Sequence, residues 1–100
     1  MILPTDGWRN KGGTAGRSCN CGSWKQHWIN FSSESWPLLC SVEGCVNKAV
    51  LGAHIYNTNS EVTGEYIAPT CDSCNKLTSI FSLKDGTTLV SANKQKTCAQ

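Results

Sequence analysis

Charge is scarce in this sequence. Asp, Glu, Lys and Arg together make up 16% of the 100 residues, against about a quarter in an ordinary soluble domain, so charge repulsion does not oppose a compact state. The net charge of +2 at pH 7 is also slight. It permits an anionic partner, but falls short of the dense basic patch of a dedicated DNA-binding domain. Long apolar runs are missing too. None nears the roughly 20 residues that span a bilayer, and Ala49-Val50-Leu51 and Ile80-Phe81 are only core-sized fragments. Met1 to Asp6 show neither a basic segment nor the apolar core of a secretion signal. These absences predict a soluble, cytoplasmic protein of one domain with no membrane partner. Only two histidines are present, so any imidazole chemistry falls to His27 or His54.

Cysteine, by contrast, is plentiful. The chain has seven, an odd number, whereas a disulfide framework favours an even one and oxidising surroundings. Cys19 and Cys21 are also too close in sequence to bridge one another without strain. Compartment and count together favour metal binding over disulfides.

Along the chain, residues 1–18 are rich in glycine and basic residues (Arg9, Lys11, Arg17) and carry no hydrophobic period, which predicts a flexible arm. A short helix is expected over Ser23 to Phe31. Ser23 can cap it, and Trp24, His27, Trp28 and Phe31 recur at helical spacing, as a core-facing stripe does. Lys48 to Tyr56 reads as a strand in which Gly52 marks a bulge or a close approach. Turn residues then lead to a strand at Glu65 to Ala68. A helix capped by Thr70 is expected to run through Asn75 to Ile80. Asp85-Gly86 signals a final hairpin within Leu83 to Val90.

Two cysteine pairs carry the chemistry. A tetrahedral zinc site takes one edge from two cysteines on a turn and the other from a Cys-x-x-Cys at a helix start. There the first-turn amides favour thiolate. Cys40 and Cys45, then a hairpin, then Cys71 and Cys74 follow that order. Buried unliganded thiols are the plain alternative, which the clustering in pairs disfavours. The expectation is a small α+β domain over 19–100, zinc-bound and treble-clef-like at about 38–82, with a short N-terminal helix and β-hairpins.

The stretch Gly52-Ala53-His54-Ile55 followed by Ile67-Ala68-Pro69-Thr70-Cys71-Asp72-Ser73-Cys74-Asn75 resembles the HNH, or ββα-metal, endonuclease finger. The resemblance covers about residues 38–82. It implies His54 as the general base that polarises the attacking water and Asn75 as a ligand of a divalent catalytic ion. Where that family places its first catalytic-metal ligand this chain has Ala53, and where it places a central Asn this chain has Tyr66. The resemblance therefore implies an intact structural-zinc half and a degenerate catalytic half. The alternative for His54 is a buried strand histidine bonded to a backbone carbonyl.

Cys19, Cys21, His27 and Cys98 remain as donors for a candidate second zinc site, although Cys19 and Cys21 could instead group with Cys40 and Cys45. Three functions follow. The first is a zinc-stabilised binding module contacting nucleic acid through its basic arm, its tail (Lys94, Lys96) and stacking tryptophans, without strong catalysis. The second is an HNH-like nuclease using His54. The third is a structural or protein-interaction domain whose zinc makes up for a small core.

Overall fold

The computed structural model describes residues 3–12 and 22–92. Among these, four strands form one antiparallel sheet in sequence order: β1 (Trp8–Asn10), β2 (Leu51–Asn57), β3 (Glu65–Thr70) and β4 (Val90–Ser91). Two helices, α1 (Trp24–Ser32) and α2 (Asp72–Asn75), complete it. β2 and β3 pair from Leu51↔Thr70 to Tyr56↔Glu65, so Ala53 opposes Ala68 and His54 opposes Ile67. No helix among the described residues is long and apolar enough to cross a membrane.

The two-residue period of the strands divides the core. On one face Ala53, Ile55 and Ala68 pack with Trp8, Cys40, Cys71, Phe81 and Leu83. On the other, Ile67 packs with Trp24, Trp28 and Val90 beneath α1. Gly52 lies on the α1 face and makes the close approach expected of it. A Cβ there would stand 2.7 Å from the Trp24 carbonyl carbon and 2.8 Å from the Lys25 nitrogen.

α1 forms where its spacing places it. Ser23, extended at φ −155°, caps it by accepting from the Gln26 amide at 3.1 Å, and Ser33 ends it in the left-handed region at φ 61°. Trp24, His27 and Trp28 are buried, while Phe31 at the end of the stripe stays 41% exposed.

Three expectations differ from the structure. Trp8–Asn10, within the stretch read as an irregular arm, forms a strand on β2, with Trp8 opposite Asn57. The second helix stops at Asn75 instead of running to Ile80, and its cap is Cys71, because Thr70 still belongs to β3. Beyond Asn75 the chain is fastened to β1. The Asn10 side-chain amide donates to the Cys74 and Leu77 oxygens, both at 2.9 Å, and Arg9 donates to the Thr78 oxygen at 2.8 Å. Phe81 is then drawn into a bridge with Trp8. Lastly, Asp85-Gly86 does make a turn, with Gly86 at φ +80°, but its flanks do not pair with each other. Leu83 bridges Val42 while Val90 joins β3, because the two apolar side chains belong to opposite faces of the sheet.

Candidate metal centre

The first cysteine pair sits on a tight loop. Leu39 bridges Lys48, the Cys40 amide donates to the Asn47 oxygen at 2.9 Å, and the Cys45 amide donates to the Val42 oxygen at 3.0 Å. Gly44, at φ +82°, allows the reversal between them. The second pair straddles the start of α2, where the Cys74 amide reaches the Cys71 sulfur at 3.4 Å. Because the β2–β3 hairpin begins beside one pair and ends at the other, its closure brings all four together. The ligand atoms of Cys40, Cys45, Cys71 and Cys74 lie within 4.8 Å of one another.

The spacing suits a tetrahedral thiolate site. A Zn–S bond of about 2.3 Å gives sulfur–sulfur edges of about 3.8 Å, and the Cys45 and Cys71 sulfurs are 3.8 Å apart. Burial pushes the Cys71 thiol up. The Cys74 amide, the Asn47 side-chain amide and the neighbouring thiols outweigh this and hold it at about 6. Burial pushes Cys40 and Cys74 up, and for Cys74 the other three sulfurs push in the same direction. The cluster thus favours thiolate at Cys71, and a thiolate is the form of cysteine that ligates metal.

His54 and Asn75 occupy a second locality. His54, on β2, has its side chain buried, and its Nε2–H donates to Glu65 Oε1 at 2.5 Å. The other Glu65 oxygen meets Lys11 Nζ at 3.4 Å, and the Trp24 ring stands edge-on at 5.0 Å. His54 therefore pairs with a carboxylate, where the plain expectation was a backbone carbonyl. Burial pushes the Glu65 carboxyl up, but the bond and charge of His54 and then of Lys11 prevail, leaving it below the usual range. His54 and Asn75 line one cavity of about 600 Å³, together with Asn10, Lys11, Ser23 and Trp24. Ala53, by the alternation of β2, faces the opposite side, in the first core cluster. Tyr66 lies there too, edge-on to Trp8, with its hydroxyl donating to the Thr63 oxygen. Glu65 and Lys11 are the neighbours that motif spacing did not reveal; the Tyr56↔Glu65 register places Glu65 beside His54, and the Lys11 amide donates to the His54 oxygen at 2.8 Å.

Of the candidate second metal site, Cys19, Cys21 and Cys98 lie outside the described residues. His27 is fully buried in α1, and its Nε2–H donates to the Ser91 oxygen at 2.9 Å. Trp8, Trp24 and Trp28 are core residues, Trp24 also bordering that cavity, and Trp36 is half-buried with Lys25 Nζ 5.0 Å over its ring. Arg9 is engaged with Thr78 and Lys11 with Glu65, while Arg17, Lys94 and Lys96 lie outside the described residues.

Fold and site define a small α+β domain with a four-cysteine cluster able to hold a metal ion. The chain matches no protein-family model, no curated protein and no solved structure.

Proposed function

We propose that this chain is a zinc-stabilised binding module, with a treble-clef-like core at residues 38–82, that contacts nucleic acid and has no strong catalytic activity. The observation that carries the zinc reading is the four-sulfur cluster with its 3.8 Å edge. Four thiolates select zinc over hard cations such as magnesium. The knuckle, hairpin and short helix that carry the sulfurs support the treble-clef reading. The cavity beside His54 supports a nucleic-acid partner. Asn10, Lys11, Lys25 and Asn75 are among the residues that line it, although the Asn10 amide is held by Cys74 and Leu77 and the Lys11 ammonium by Glu65.

Titration of labelled single- and double-stranded oligonucleotides tests the partner. Neutralising about two phosphates should weaken binding roughly tenfold between 50 and 200 mM salt. Binding that ignores salt, or none, with zinc content intact, would leave the structural or protein-interaction role in its place.

A second reading, an HNH-like nuclease, is favoured by one observation: His54 and Asn75 share the cavity, and Glu65 orients the imidazole. Against it, Ala53 has no donor atom and faces the other side of the sheet, so Asn75 alone would hold the catalytic ion. We expect no cleavage of plasmid with Mg2+, Mn2+ or Ni2+. Cleavage that disappears in His54→Ala, at unchanged zinc content, would establish the enzyme instead.

A further inference from the structure

Four thiolates around a divalent ion leave two negative charges on the site. Here that charge would rest against Ala53, Ile55, Ala68 and Leu83, and such surroundings penalise charge that is not compensated. The chain places two groups against it. Lys84, half-buried, donates from Nζ to the Cys45 carbonyl oxygen at 2.6 Å, which sets an ammonium beside one ligand residue. From the knuckle, the Asn47 side-chain amide points its Nδ2 at the Cys71 sulfur, 3.7 Å away, while the Asn47 backbone carbonyl accepts from the Cys40 amide.

Neither placement is incidental to the fold. The run 82–84 lies along the knuckle: the Glu43 amide donates to the Ser82 oxygen at 2.9 Å, the Lys84 amide donates to the Ser41 oxygen at 2.8 Å, and Leu83 bridges Val42. Lys84 thus reaches the site with its backbone already ordered, so less entropy is lost in holding the ammonium there. Asp72, the acid on α2, is held by Lys76 at 2.9 Å, and Glu43 and Asp85 are exposed.

We propose that Lys84 and Asn47 are outer partners of the four-cysteine site, offsetting the charge of the metal–thiolate group and so raising its hold on a divalent ion. The alternative is that Lys84 is a mechanical staple between the run 82–84 and the knuckle. Charge and staple separate by substitution and salt. Zinc affinity of the reduced full-length chain is measured by competition with a chromophoric chelator. Lys84→Met should bind zinc about tenfold more weakly at low salt, as loss of an outer partner typically does. That gap should narrow in part toward 1 M salt, because a half-buried charge is screened less than an exposed one. Lys84→Arg, which keeps the charge, should stay near wild type. Asn47→Asp sets a carboxylate beside Cys71 and should weaken binding more than Asn47→Leu. Equal affinity of Lys84→Met and wild type at low salt would overturn the proposal, as would equal, salt-independent losses in Lys84→Met and Lys84→Arg. If Lys84→Met does not fold with zinc, the Asn47 pair decides: indistinguishable affinities there refute the role.

Discussion

Replacing Gly52 with alanine adds one methyl group, and the structure decides the sign of its effect. Two terms compete. Gly→Ala at a permissive position stabilises by about 0.4–1 kcal/mol, because the unfolded chain loses freedom. Gly52 is not among the positive-φ glycines, so that gain is available in principle. Space is the opposing term. The new carbon would stand 2.7 Å from the Trp24 carbonyl carbon, 2.8 Å from the Lys25 nitrogen and 2.9 Å from Ile67 Cγ2. The first two are backbone atoms in the opening turn of α1, so relief requires the helix to move off the sheet. That movement loosens the packing of Trp24 and Trp28 on Ile67. Overpacking of this kind costs about 1–3 kcal/mol and sometimes more, so the net effect should be a destabilisation of about 1–2 kcal/mol. For a domain of this size that corresponds to a fall in Tm of roughly 4–16 °C. Thermal unfolding of reduced, zinc-loaded protein, followed by circular dichroism, measures it. A Gly52→Ala protein as stable as wild type, or more so, would refute the claim that α1 rests on backbone at this point.

Other expectations concern metal and charge. Structural zinc contributes on the order of 10 kcal/mol of apparent binding free energy, comparable with the whole stability of a small domain. Chelation or Cys71→Ser should therefore abolish the cooperative transition, and reduced, folded protein without zinc would contradict it. The Glu65 carboxyl is depressed in the folded state by His54 and Lys11, so its contribution to stability is present above the ordinary carboxylate range near 4.3. It is lost as pH falls through the lower folded value. Glu65→Gln should cost about 1–3 kcal/mol at neutral pH and flatten that acid limb; an unchanged limb in urea titrations would refute the pairing. Thiol titration after denaturation with chelator should find all seven cysteines reduced, and recovery of disulfides would place the protein in an oxidising compartment instead.

What could be read ahead of the structure depended on whether the cause was local. α1 was legible because its cap, Ser23, and its apolar spacing lie within ten residues of one another. The cysteine pairs were legible because metal geometry imposes short spacings. The strand at Trp8–Asn10 was not, since three residues without alternation become a strand only by pairing with β2, more than forty residues away. The early stop of α2 was hidden for the same reason, because the turn that follows it is held by Asn10. Glu65 met His54 through strand register, and Lys84 met Cys45 through the run that lies along the knuckle. Neither pairing follows from motif spacing alone.

The order of the sheet has a consequence for how the chain assembles. β2 and β3 first meet at Tyr56 and Glu65, nine positions apart, whereas β1 meets β2 at Asn10 and Ile55, forty-five positions apart. Closing the longer loop costs about 1.4 kcal/mol more in chain entropy, by the logarithmic dependence on length. The hairpin should therefore form first, and metal capture by the sulfurs at its two ends would lock it. β1 would dock late, and with it the Asn10 amide that holds the turn after α2. In native-state hydrogen exchange, the amides of residues 8–10 should open at lower free energy than those of residues 53–56 and 66–68, with β1 leaving as its own unit while the metal-bound hairpin persists.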